Sequence, residues 1–267
     1  MKIKKTLSLA LIAITLLTIA MTVISAGVNA EKLDQVKGKK LTREAAAAEG
    51  KLGQNQLDTL KAKGIKMIEK RVSELYKTLD RIQKDKNLTS EEKTSLANEI
   101  NAAIASLNSL TAKIKSDTNI ADLRNDVKKI VDESKIFSNI VPKVRLLIAI
   151  DNLQNLSVKI ADLTPKIQKL IDDLKSSGKD VAKLQSLVDS INSRLKIINT
   201  TLSNDKALIM GVTASSASSK TTFNSVRKDL ADVRFGFAKI REDIAQMRSD
   251  FKIIIKTSSA SAKPKED

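Results

Sequence analysis

Apolar residues recur at helical spacing along most of this chain. The most regular run comprises Phe223, Val226, Leu230, Val233, Phe237, Ile240, Ile244, Met247, Phe251 and Ile254, at intervals of three and four. Such a heptad draws one apolar seam down a helix of roughly nine turns. Upstream, Ile65, Ile68, Val72, Leu75, Leu79 and Ile82 mark a helix that opens at Asn55 and ends before Asn87. Thr89-Ser90-Glu91-Glu92 then has the form of a capping box, with Thr89 as cap and Glu92 reaching back. The seam Leu96, Ile100, Ala103, Leu107, Leu110 and Ile114 follows, and the short connection predicts an antiparallel hairpin.

Asp117-Thr118-Asn119 supplies caps for a third helix through Ile120, Leu123, Val127 and Ile130 to about Phe137. Pro142 has no amide hydrogen and disfavours a helical Val141, so a fresh helix is predicted there, carrying Leu146 to Leu174. Thr164-Pro165 interrupts it, but the heptad phase passes through, which predicts a kink rather than a break. Gly178 is read as the left-handed residue that stops this helix. The next seam is Leu184, Val188, Ile191, Leu195, Ile198, Leu202 and Ile209, with Asp205 standing on it. A Ser/Ala stretch, 213–219, leads into the long heptad helix.

The fold class is therefore all-α: an elongated antiparallel helical bundle of five to six long amphipathic helices with coiled-coil-like packing, over residues 55–256. Residues 31–54 read as a flexible tether. The tail 257–267, Ser-rich and ending Lys-Pro-Lys-Glu-Asp, has no apolar face and reads as disordered.

Residues 1–30 have the layout of a secretory signal peptide. Lys2, Lys4 and Lys5 precede an uncharged run from Leu7 to Ile24, and Val28-Asn29-Ala30 offers small residues for cleavage. The alternative is a retained membrane anchor, since the run is close to the lower length limit of a span. Both readings place the body outside the cytoplasm. Membrane contact through this segment is expected only if it stays uncleaved.

Composition narrows the chemistry. The chain of 267 residues has no Cys, His or Trp, and one Tyr. Thiolate nucleophiles, disulfides, zinc fingers and Ser–His catalysis are thereby excluded. Carboxylate-only glycoside hydrolysis remains chemically open, but it usually needs aromatic platforms, and a single Tyr supplies few. No catalytic residue, cofactor or metal is expected. The acidic pairs Glu91-Glu92, Asp172-Asp173 and Glu242-Asp243 diverge around their helices and read as surface. Tyr76 reads as packing beside its seam. The net charge of +16 is spread along the chain with both signs mixed. A dense basic face with interleaved aromatics is lacking, so nucleic acid is not an expected partner.

One charged feature stands apart. Arg227, Arg234, Arg241 and Arg248 recur once per heptad beside the last seam. With Phe223 as position a they form the e column, while Thr222, Asp229, Gly236, Asp243 and Asp250 form the g column. No arginine of the column has an acid three or four residues away. Glu69 and Asp85 of the first helix are the acids offered elsewhere. Three readings follow. The arginines cover the seam with their stems and keep their heads in water. Or helix 220–256 forms a parallel homodimer, in which Asp229 and Asp243 of one copy meet Arg234 and Arg248 of the other. Or the column docks on anionic lipid or an acidic wall polymer.

Leu88-Thr89-Ser90-Glu91-Glu92-Lys93 leads into Leu110-Thr111-Ala112-Lys113-Ile114 and Ser116-Asp117-Thr118. Leu123-Arg124-Asn125-Asp126-Val127, Val141-Pro142-Lys143-Val144, Asp151 and Gly178-Lys179-Asp180-Val181 follow. This order resembles a group of uncharacterised exported helical-bundle proteins of actinobacteria and candidate-phyla bacteria, over roughly residues 68 to 255. In that group an aromatic–Arg pair often precedes the Pro segment; here Ser134-Lys135-Ile136-Phe137 stands in its place. The resemblance implies an exported helical protein and no particular chemistry. The expectation is a non-enzymatic structural or interaction module of the bacterial cell envelope or surface. Its partners would be another envelope protein, anionic lipid or wall polymer.

Overall fold

The computed structural model describes residues 54–213, 216–217 and 219–260, with the side chains of 54–55, 131–136 and 256–260 left aside. The predicted signal peptide, the tether up to residue 53 and the tail from 261 lie outside the described residues. The described chain is all-α. Its helices are α1 (Gln54–Lys84), α2 (Ser90–Ser116), α3 (Ile120–Ala161), α4 (Thr164–Ser176), α5 (Ala182–Met210) and α6 (Ser219–Ala260). Helix α6 runs to Ala260, past the predicted start of a disordered tail at 257, because Ser and Ala sustain the backbone ladder without needing an apolar face.

Local signals set most of the helix ends. The capping box forms: Glu92 N–H donates to Thr89 Oγ1 at 3.2 Å and Thr89 N–H to Glu92 Oε2 at 2.9 Å. Asn119 caps α3, its Oδ1 accepting from Asp122 N–H at 2.9 Å. At the end of α4, Lys179 N–H bonds the Leu174 carbonyl and Gly178 N–H the Lys175 carbonyl, at 3.1 and 2.9 Å. This Schellman closure needs a left-handed residue, and Gly178 supplies it at φ 72°.

The two prolines depart from expectation. Pro142 does not open a helix; it lies inside α3, which runs unbroken from 120 to 161. The segment around it is buried on nearly every side, with Ile140, Val141, Val144, Leu147 and Ile150 all at 4% exposure or less. That burial outweighs the roughly 3 kcal/mol penalty of an internal proline. Pro165 interrupts the hydrogen-bond ladder outright, so the predicted kink is a division into two helices. Leu163 N–H falls back to the Ile160 carbonyl, three residues away, and Thr164 Oγ1 donates to the same carbonyl. Leu163 nevertheless stays in the right-handed region (φ −86°, ψ −28°), which is why the heptad phase survives.

The helices gather into two compact units. Of the described residues, one unit takes 54–151 and 206–226. Its core joins Ile68, Leu75 and Ile82 of α1 to Leu96, Ile100, Leu107 and Ile114 of α2 and Leu123, Val127 and Ile130 of α3. Gly64 is buried where the three helices meet; a Cβ there would lie 3.5–3.6 Å from Ile130, Ile114 and Val127. Tyr76 is 55% exposed and is not a packing residue. It sits one position past the seam residue Leu75, turned outward. Asn139 of α3 is buried and holds the chain leading into α6. Its amide donates to the Ser216 carbonyl at 3.2 Å, and Ser219 Oγ donates to its Oδ1 at 2.6 Å.

The second unit takes 152–205 and 227–260 of the described residues. Here α5 packs against both α4 and α6. Gln185 of α5 exchanges amide hydrogen bonds with Gln168 of α4 at 2.7 and 3.1 Å. Toward α6, Lys183 meets Asp250, Ser190 meets Asp243 and Ile198 meets Gly236. Numbers rise along α5 as they fall along α6, so the pair is antiparallel. Between them the seams close: Leu184, Val188, Leu195 and Leu202 against Leu230, Val233, Ile240, Ile244 and Met247, each at 4% exposure or less.

Candidate functional site

The α5–α6 register decides what each flank of α6 does. All the contacts just given fall on the g column. Asp243 Oδ2 accepts from Ser190 Oγ at 2.9 Å and lies 3.6 Å from Arg194 Nε. Asp250 Oδ1 accepts from Lys183 Nζ at 3.2 Å and Gln246 Nε2 at 3.0 Å. Asp229 faces Asp205. The acids that a parallel homodimer would lend to Arg234 and Arg248 are thus turned to the chain's own α5. The seam such a dimer would use is buried within the chain from Phe223 to Phe251. Asp85 serves its own loop, accepting from Asn87 N–H and Leu88 N–H at 2.8 and 2.9 Å, and Glu69 is exposed.

The arginine column occupies the opposite flank of the same seam. Arg227, Arg234 and Arg248 are half-buried and Arg241 is exposed. Arg234, Arg241 and Arg248 make no ion pair and no hydrogen bond among the described residues. The Nε–H groups of Arg234 and Arg248 are buried without an acceptor there. Buried donors are rarely left unmatched, and a charge-bearing one less often than most. The remaining turns of the outward surface carry Lys228 and Lys252, both exposed, and a bare aromatic ring. Phe235, at position f directly opposite the seam, is 64% exposed, and Lys239 Nζ stands 5.5 Å from its ring centroid. Phe235 escapes a reading based on the heptad because it lies off the seam. Its one signal is that it is an aromatic at the most polar position of the repeat.

Asp205 is a second centre in this unit. It is 2% exposed, as its place on the seam requires, and its Oδ2 has no hydrogen-bond partner. Burial first, and then the Asp229 carboxyl opposite, pushes its pKa up to about 6. Two carboxyl groups facing each other in apolar surroundings hold a shared proton more readily than two charges.

The other unit has its own buried charges. Lys206 of α5 bridges Glu92 Oε1 and Asp151 Oδ1 at 2.7 and 2.8 Å. Burial works against the Lys206 charge, but the two carboxylate bonds outweigh it and raise the pKa. Burial raises that of Asp151, against the pull of Lys206. Nearby, Lys143 is almost wholly buried and pairs with Glu99 at 2.7 Å. Lys206 answers two carboxylates, and Glu99 Oε2 and Asp151 Oδ2 are buried without a hydrogen-bond partner among the described residues; the arrangement suits a structural tie.

The acidic pairs diverge around their helices as expected, but Glu92 and Asp243 are not surface residues; each turns into a helix interface. Glu92 turns to Lys206 while Glu91 is exposed, and Glu242 pairs with Lys239 while Asp243 turns to α5. No helix among the described residues is long and apolar enough to cross a membrane. Compared with protein-family models, with curated proteins and with solved structures, the chain matches none.

Proposed function

We propose that this chain is an exported, non-enzymatic helical module that works by surface contact in the bacterial cell envelope. The N-terminal segment supports export: three lysines, an uncharged apolar run and a small-residue cleavage site. The lack of Cys and His supports a role that needs no nucleophile or transition metal. N-terminal sequencing of the native protein, with cell fractionation, tests the reading. A chain beginning at Glu31 in the medium or envelope is expected. An intact Met1 on a cytoplasmic protein would refute it.

A second reading, adsorption to an anionic surface, is favoured by one specific observation. Arg234, Arg241 and Arg248 line one flank of α6 without an ion pair among the described residues, while Asp229, Asp243 and Asp250 of the same helix face α5. Adsorption of this kind weakens steeply with salt, because the Debye length shrinks from about 10 Å at 0.1 M to about 3 Å at 1 M.

A further inference from the structure

We infer that the outward face of α6 docks on the headgroup surface of an anionic phospholipid bilayer, with Phe235 entering the interface between flanking cations. The inference rests on the adsorption reading and narrows it to one surface.

Helix α6 divides its charges between its flanks. Asp229, Asp243 and Asp250 share one column and turn toward α5. Glu242 is held by Lys239 at 2.8 Å. The cations of the other columns are left to the outside: Lys228, Arg234, Arg241, Arg248 and Lys252 have no ion pair among the described residues. Exposed acids on this side are Asp232 and the Lys239-bound Glu242, so the outer face carries a net basic charge. Successive arginines are seven residues apart, so they step along the face by about 10.5 Å. Between them at position b stand Ala231, Ala238 and Ala245, too short to hold the face away from a flat surface.

Phe235 chooses between lipid and a soluble acidic polymer. A flexible polyanion satisfies guanidinium groups but offers an exposed aromatic ring nothing to enter. A bilayer interface offers both phosphate oxygens and an apolar boundary at the same depth, where amphipathic helices seat their rings. The ring is 64% exposed, lies beside Arg234 and has Lys239 over its face. Each basic residue near an anionic leaflet strengthens binding about five-fold at low salt. Three arginines therefore account for about 100-fold.

The test is co-sedimentation of the full chain with vesicles of phosphatidylglycerol and phosphatidylcholine in equal parts. Pure phosphatidylcholine vesicles report what the apolar N-terminal run contributes, and soluble poly-glutamate is the polymer arm. Arg234→Gln/Arg241→Gln/Arg248→Gln should lower affinity for the anionic vesicles about 100-fold at 50 mM salt, and Arg→Lys at the same sites should keep most of it. Phe235→Ser should weaken vesicle binding about five-fold and leave poly-glutamate binding unchanged. Far-ultraviolet circular dichroism checks that each variant keeps its helices, and Phe235→Ser, which alters an exposed side chain, carries the test if the Gln variant unfolds. Equal affinity for anionic and neutral vesicles would overturn the inference and the adsorption reading together. Salt-sensitive binding to poly-glutamate, with vesicle affinity indifferent to Phe235→Ser, would overturn the bilayer and leave the adsorption reading standing.

Discussion

Asp205 on the seam of α5 faces Asp229 on the flank of α6, and the Asp205 carboxyl is 2% exposed. A buried carboxyl opposed by another is most stable when a proton lies between them. Above about pH 6 the Asp205 carboxyl ionises, and the seam must then hold a buried charge that faces another carboxyl.

A pH dependence of stability follows, with a definite sign. The folded state holds the Asp205 proton up to about pH 6, whereas the unfolded chain releases it near 3.8. Between those values the folded state binds more protons, so this contribution to stability is full below the lower pH and is lost as pH rises through the window. Denaturant unfolding of the wild-type chain and Asp205→Asn, followed from pH 4.5 to 7.5, isolates it from the other carboxylates. The variant should gain on the order of 2 kcal/mol relative to wild type across that range. A difference that does not change with pH would rule out the shared proton.

Lys206 should be far more sensitive than its surface neighbours. It answers two carboxylates, and Asp151 is 3% exposed. Lys206→Met leaves a buried carboxylate unmatched and should cost about 3 kcal/mol in equilibrium unfolding. Adding Asp151→Asn should recover a substantial part. Lys84→Met, which breaks an exposed i,i+4 pair with Asp80, should cost less than about 0.5 kcal/mol.

Two helical glycines should respond differently to alanine. At Gly64 the new methyl would meet its neighbours at 3.5–3.6 Å, ordinary contact distance, so the propensity gain should stabilise the fold by about 0.5–1 kcal/mol. At Gly236 it would lie 3.2 Å from Ile198 Cδ1 and 3.4 Å from Cγ1, and Ile198 is itself buried. That side chain must shift, which offsets most of the gain. Thermal melts of the two variants should therefore separate, with Gly64→Ala the higher.

The helices were legible because their information is periodic. The seams of α2 and α5, the Thr89–Glu92 box, a cap within 117–119 and Gly178 each follow from local spacing and appear as predicted. In α1 the buried stripe runs through Ile68, Leu75, Thr78 and Ile82, with Ile65, Val72 and Leu79 half-buried. What escaped depends on partners distant in sequence. Pro142 is tolerated because residues around it are buried on several sides, a property of the packing and not of the dipeptide. Which flank of α6 meets α5 cannot be read from α6 alone. That choice turned the g-column acids inward and left the arginines outside. Asp205 was visibly misplaced on its seam, but its counterpart, Asp229, emerges only from the antiparallel register. Tyr76 shows the limit of assigning an aromatic to a core by proximity: one residue past a seam, its ring faces solvent.

The central claim is that Arg234, Arg241 and Arg248 serve a contact outside the chain more than they serve the fold. The most direct measurement is the unfolding free energy of Arg234→Gln/Arg241→Gln/Arg248→Gln beside that of Asp243→Ala, which removes a carboxylate bound to Ser190 and lying 3.6 Å from Arg194. The triple variant should lose less than about 1 kcal/mol, the worth of trimmed stems along the seam, while Asp243→Ala alone should lose about 1–2 kcal/mol. A loss above about 3 kcal/mol in the triple variant would place the arginines among the ties that hold the bundle and contradict the account.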